Sequence, residues 1–356
     1  MSEPRPKVLL AFDQRVRDLY ATAADLERLQ AFADWEWFAC TGGAGRVYGA
    51  NQDPELTAGL AERLAGCAGL VVCHGCPVVT AQVLDQAPGL RIIGELEGDR
   101  FAGRIELEAA WQRGIRTVDT TNGSSYPVAE WALALILISL RNAGHHFRRI
   151  IAGQYQHPPH DDPGFGRGEL WGKRVGLVGC GHVGRRLLGF LRPFHTEVWV
   201  YDPYLPREMA DALGFLQTSL DNLMAHCDAV VCLAPHTPRT ERLIGARELD
   251  LLRPGAVLVN VSRGKVIDTP ALVARLRRGD IVAGLDVLDP EPYSDHEIIH
   301  LDNVFLSPHI AGVTAQCGPR FFALMVDELD RFFHGHETQF DLTPRSRANR
   351  RGEEPG

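Results

Sequence analysis

The sequence predicts an α/β protein with two doubly wound parallel sheets, and three observations carry that expectation. Short β-rich runs alternate with helix-length amphipathic stretches along most of the chain, the rhythm of βαβ units. The 356 residues suffice for two domains at about 150 residues each. With 45% apolar and 23% charged residues, the composition is that of a folded chain and excludes disordered, collagen-like and disulfide-stapled classes.

The first series of strands is expected at Val8–Phe12, Trp35–Ala39, Leu70–Cys73, Arg91–Gly94 and Arg116–Asp119. Turn clusters at 41–45, 87–89 and 122–125 punctuate it, and Leu56, Leu60 and Leu64 show helical spacing between them. A long apolar helix follows, from about Val128 to Ile151, too hydrophobic all round for a solvated helix and so expected to be buried by a domain or a second subunit. Residues 157–168, with three prolines, three glycines and two aspartates, read as an irregular loop. A second series is expected at Arg174–Val178, Val198–Tyr201, Ala229–Leu233, Ala256–Val261, Val282–Val287 and Val304–Leu306, six strands that suit a second doubly wound sheet. One more helix pattern, Phe321–Phe333, precedes a polar tail, 343–356, expected to be disordered.

Thirty-seven Lys and Arg against 45 Asp and Glu leave a net charge of −8, which disfavours nucleic acid as a partner. The N-terminus enters its first strand without a signal-peptide pattern, so no export is expected. The longest apolar run, Trp131–Leu140, is far short of the ~20 residues that cross a bilayer, so no membrane span is expected. Eight cysteines, several inside apolar strands, read as reduced core residues of a cytoplasmic protein. Cys73 and Cys76 have a Cys-x-x-Cys spacing but no second ligand pair, and read as a strand end rather than a metal or redox site. His145, His146, His157 and His160 lack acidic companions at metal-site spacing, so no metal is expected.

Gly179-Cys180-Gly181-His182-Val183-Gly184 follows a strand and opens a helix. In that context each glycine has a steric reason: Gly179 for the tight turn, Gly181 for close backbone approach to a pyrophosphate, Gly184 for helix-on-strand packing. The next strand closes on Asp202, eighteen residues past Gly184, where a carboxylate can bind ribose hydroxyls. The pattern reads as a Rossmann dinucleotide turn, the alternative being a glycine-rich turn of an α/β domain with an incidental aspartate, and the cofactor expected is NAD: NADP would want a cation beside its 2′-phosphate, but Pro203 and Tyr204 follow Asp202 and the first arginine is Arg207.

Further polar groups collect at the carboxyl ends of predicted strands, in 260–264, 284–292 and 307–312. Hydride exchange between a nicotinamide and a 2-oxo acid needs a cation to hold the carboxylate and a proton donor at the carbonyl oxygen, roles that Arg263 and His309 fit. A carboxylate on the other ring nitrogen would hold the imidazole in one tautomer, and Glu291 is the candidate. Each alone also has an ordinary reading, as a surface ion pair, a turn histidine or a cap, and it is their combination after a dinucleotide turn that favours chemistry.

That combination resembles the D-isomer-specific 2-hydroxyacid dehydrogenase family. The motifs run in family order from about Val8 to Phe333: the glycine turn, Asp202, Pro235-His236-Thr237-Pro238, Asn260–Gly264, Asp286–Pro292 and Ser307–Gly312. The resemblance implies that Arg263 binds substrate, His309 is the acid/base, Glu291 is its partner and Asp286 contacts the nicotinamide carboxamide. It implies NAD contacts from Gly179, Gly181, His182, Val183, Gly184, Asp202, Pro235, Thr240, Val261 and Ala311. It also implies a flavodoxin-like substrate domain from 1–121 and 314–342, a Rossmann domain over 122–313, an active site in the interdomain cleft, and a homodimer formed through the 128–151 helix. The reaction implied interconverts a 2-oxo acid and its D-2-hydroxy acid; oxidation of another small anion, phosphite- or formate-like, and non-catalytic NAD sensing of the corepressor kind are the alternatives.

There is one departure. Where members usually offer a glycine-rich loop to the substrate carboxylate, this chain reads Gly94-Glu95-Leu96-Glu97-Gly98-Asp99-Arg100-Phe101-Ala102-Gly103-Arg104. Its acids would oppose an anion while Arg100 and Arg104 would attract one, so the loop is expected to select something other than a lactate-like acid, with Arg100 as an added anion contact. His74, at a strand end, is a further expected substrate contact.

Overall fold

Continuous aliphatic runs become the strands of two parallel sheets in the computed structural model, which describes residues 5–41, 51–99, 103–154, 168–291 and 296–351. The chain divides into two units, Met1–Ser124 with Thr314–Ala348, and Ser125–Val313.

The first unit holds β1 (Lys7–Phe12), β2 (Asp34–Ala39), β3 (Gly69–Val72), β4 (Ile92–Glu95) and β5 (Arg116–Asp119), ordered β2-β1-β3-β4-β5. Val8 to Phe12 are wholly buried, as a parallel strand covered on both faces requires. One face is covered by Leu60, Leu64, Val83 and Leu84, the other by Leu26, Leu29, Phe322 and Met325.

The second unit holds β6 (Arg174–Val178), β7 (Glu197–Tyr201), β8 (Leu216–Gln217), β9 (Ala229–Cys232), β10 (Val257–Asn260), β11 (Val282–Leu285) and β12 (Val304–Leu306), ordered β12-β11-β10-β9-β6-β7-β8. The sheet therefore has seven strands, not six. The extra one, β8, is a two-residue edge strand with Leu216 half exposed, too short to show a period. Leu187 and Leu191 with Ala132, Leu135 and Ile136 cover one face, and Leu223, Met224, Leu249 and Leu272 the other.

The expected single helix over 128–151 is two, Ser125–Leu140 and Ala143–Ile151. They part where Asn142 takes a left-handed conformation at φ 42, which asparagine tolerates better than most residues. The first begins earlier than expected because Pro127 falls in its opening turn, where a missing N–H removes no intrahelical bond. Counted from Thr121 through Leu140, this segment reaches 20 residues and by length and composition is apolar enough to cross a membrane, contrary to the expectation from Trp131–Leu140 alone. Half of it is buried inside the protein, among the core residues just named.

Pro344–Arg351, expected to be disordered, is helical. Thr343 and Ser346 cap its start reciprocally, and Arg347 pairs with Glu108. The loop expected at 157–168 lies outside the described residues except for Gly168. All eight cysteines are free and buried.

Candidate active site

The glycine turn sits between β6 and the helix His182–Leu191. The chain leaves β6 for β7 on one side and later crosses to β9 on the other, so the turn lies at the switch point where α/β sheets bind ligands. Gly179 has φ 95, and its N–H donates to Tyr201 O at 2.8 Å, joining the ends of β6 and β7. A Cβ on Gly184 would stand 3.1 Å from Gly179 O, whereas one on Gly181 would meet nothing within 4 Å. That open space lies before a helix start with no side-chain cap, which fits a pyrophosphate held by backbone N–H groups. Asp202 braces the turn: Cys180 N and Tyr204 N each donate to its carboxylate at 3.0 Å. His182 and Val183 begin the helix, and Thr240 donates to Pro235 O at 2.6 Å, closing the 235–240 turn on itself.

The acid/base candidates come from the ends of β10, β11 and β12. After β10, buried Asn260 accepts from Ser262 N at 3.0 Å and donates to Arg263 O at 3.2 Å, which sets Arg263 in an extended conformation with φ −142. A Cβ on Gly264 would fall 2.1 Å from the Leu288 backbone, so only glycine lets the arginine segment lie against the chain that carries Glu291. Glu291 accepts from Leu288 N at 3.1 Å with one oxygen and from His309 Nδ1 at 3.0 Å with the other. This leaves His309 Nε2 without a protein partner among the described residues. Arg263, Glu291 and His309 line one cavity of about 280 Å³, together with His236 and Lys265. Val261 and Ala311, two residues along the chain from Arg263 and His309, are buried, and Asp286, 1% exposed, accepts from Ile310 N at 3.0 Å and Ala311 N at 2.9 Å. Sequence reasoning missed Trp131, whose indole N–H donates to Ser307 Oγ at 2.9 Å; read as one more apolar residue of a helix, it gave no signal.

In the first unit Glu95, Glu97 and Arg104 of the 94–104 loop are committed to partners within the protein. Arg104, expected to attract an anion, is 4% exposed and donates to Glu95 and, at 3.1 Å, to His74 Nδ1. His74 Nε2 then donates to Glu97 at 2.9 Å, and Tyr20 O–H donates to the same carboxylate at 2.8 Å. Arg104 is thus a structural cation, because a guanidinium buried beside a carboxylate forms that pair before any ligand arrives. Arg100 lies outside the described residues. Ligand atoms of Cys73, His74 and Glu97 lie within 4.8 Å of one another, but both ring nitrogens are engaged, a guanidinium abuts the ring, and burial pushes the Cys73 thiol up, all unfavourable to a cation.

Burial pushes the Glu95 carboxyl up to about 7 although Arg104 pulls it down, with Asp119 adding to the rise. The folded chain then holds this proton more tightly than the unfolded chain does. Its stabilising effect is complete below the ordinary value of 4.5 and is lost as pH rises through about 7. Glu95→Gln does not titrate, so the stability of the variant relative to the parent should climb by on the order of a few kcal/mol between about pH 5 and about pH 8. Chemical denaturation at the two pH values reads this, and a constant difference would contradict it.

Residues 133–311 match the sequence model for the D-isomer specific 2-hydroxyacid dehydrogenase NAD binding domain. The chain is 31% identical over 278 residues to a D-3-phosphoglycerate dehydrogenase of Methanocaldococcus jannaschii, covering 78% of itself but only 52% of that protein. It is 31% identical over 264 residues to a glyoxylate reductase of Pyrococcus furiosus, covering 72% of itself and 77% of the relative. Among solved structures, a phosphoglycerate oxidoreductase from Rhizobium etli superposes with a TM-score of 0.78 at 25% identity, over 95% of this chain and 98% of that one.

Proposed function

Because the chain belongs to the D-isomer-specific 2-hydroxyacid dehydrogenase family, with an NAD-binding domain over 133–311, we propose that it interconverts a 2-oxo acid and its D-2-hydroxy acid. The observation that carries this reading is the His309–Glu291 hydrogen bond at 3.0 Å on the wall of the cavity that Arg263 also lines. The 179–184 turn and Asp202 would hold NAD, which when bound would supply or take the hydride. Arg263 holds the substrate carboxylate in a two-pronged grip and draws electron density from the neighbouring carbonyl. His309, its Nδ1–H committed to Glu291, gives the proton to the carbonyl oxygen from Nε2 in reduction and recovers it in oxidation. A cavity of about 280 Å³ suits a small acid.

The reading extends to assembly and compartment. Phe147, Ile150 and Ile151 of the amphipathic helix Ala143–Ile151 are 61%, 53% and 71% exposed, an apolar face that a second copy of the chain would cover in a homodimer. Eight free thiols suit the reducing cytoplasm. The test is NADH absorbance against a panel of 2-oxo acids, glyoxylate, hydroxypyruvate and phosphohydroxypyruvate included, on protein sized by sedimentation. Turnover with at least one acid by a particle of twice the chain mass is expected. NADH binding with no turnover across the panel would overturn the enzymatic reading, and a monomer would overturn the dimer.

A further inference from the structure

We infer that Trp131 positions His309 through the hydrogen-bonded chain Trp131–Ser307–Asp286, an inference that rests on the acid/base reading above. His309 has φ 54, a left-handed conformation that a non-glycine residue keeps only where its surroundings impose it. Most of the imposing groups belong to one residue at the end of β11, and Ser307 O is a second acceptor of His309 N at 3.0 Å. The Asp286 carbonyl accepts from His309 N at 2.9 Å, and its carboxylate accepts from Ile310 N and Ala311 N, so three successive amides hang from Asp286.

What aims the carboxylate is the next link. Ser307 Oγ lies 2.5 Å from Asp286 Oδ1, and both residues are buried. A hydroxyl has one proton and can turn it elsewhere. The indole N–H of Trp131 only donates, so at 2.9 Å it occupies a lone pair of Ser307 Oγ and directs the hydroxyl proton to Asp286. Trp131 stands on the helix Ser125–Leu140, beside the core residues Ala132 and Leu135, so the chain ties the acid/base loop to a helix packed into the core of its unit. Trp131 is a positioning residue: it does not line the cavity of Arg263 and His309 and acts through Asp286.

Trp131→Phe keeps the ring and deletes the donor. It should lower kcat about fivefold, the weight of one neutral hydrogen bond, and leave KM for the oxo acid unchanged. Ser307→Ala should cost at least as much, Ser307→Thr should restore most of the loss, and the double variant Trp131→Phe/Ser307→Ala should behave as Ser307→Ala alone, because both changes break one chain. Additive losses, or a KM that rises in step with the fall in kcat, would overturn the relay. The ring ¹⁵N signals of His309 in cofactor-free protein give a readout independent of turnover: they should shift or broaden in Trp131→Phe, and an unaltered spectrum would overturn the proposal. If the parent protein reduces no 2-oxo acid, the acid/base reading fails and the ring spectrum alone decides the relay.

Discussion

His309→Asn should lower kcat/KM for the 2-oxo acid by ~10²–10⁴, the usual contribution of a positioned general acid, while leaving NADH binding intact. Asparagine is the informative replacement because it accepts the left-handed backbone at φ 54, so the loss reports missing proton transfer rather than a displaced loop. The His309 side chain is 40% exposed, and its removal opens no core cavity. Cofactor affinity should hold, since the glycine turn and Asp202 brace each other without it. Steady-state rates and NADH fluorescence titration separate the two effects. A variant that keeps a tenth or more of the parental kcat would place the acid elsewhere.

Glu291 enters the same argument from the other side. Its carboxylate both caps Leu288 N and accepts from His309, so the backbone that positions the acid also fixes the imidazole plane. Gly264 is what permits this, since a methyl there would collide with the Leu288 backbone and drive the arginine and glutamate segments apart.

Parallel strands were legible because strands buried on both faces must be continuous apolar runs, as Val8–Phe12 and Ala229–Cys232 are. The dinucleotide turn was legible for a similar reason: its glycines answer steric demands that no other residue meets. Spacing and family likeness singled out Arg263, Glu291 and His309, and these three line one cavity. Elsewhere the decisive information is relational. Nothing in the letters of 94–104 says that Arg104 is already taken by Glu95 and His74; that depends on β4 lying beside β3. The break at Asn142 carries no proline or glycine of its own, and β8 is too short for any period. A basic composition concealed the capped helix at 344–351. Trp131 was counted by its hydrophobic body, while its consequence lies in one N–H.

Arg263→Ala should lower kcat/KM by ~10²–10⁴, because two charge-assisted hydrogen bonds at roughly 1.5–3 kcal/mol each are lost from the substrate carboxylate. Arg263→Lys should recover only part of this and stay about tenfold or more below the parent, since an ammonium keeps the charge but not the planar fork that matches a carboxylate. The backbone at 263 is extended, so neither alanine nor lysine is strained there, and Gly264 still lets the segment pack. The loss should divide between KM and kcat: grip on the carboxylate is common to ground and transition states, whereas polarising the carbonyl counts only as the oxygen gains charge. Equal kcat/KM for Arg263→Lys and the parent would mean that charge alone suffices and that the two-pronged grip is wrong. A loss confined to melting temperature, with kcat/KM kept, would make Arg263 a structural residue and send the search for the carboxylate anchor to Lys265 and His236, the other basic groups on the cavity wall.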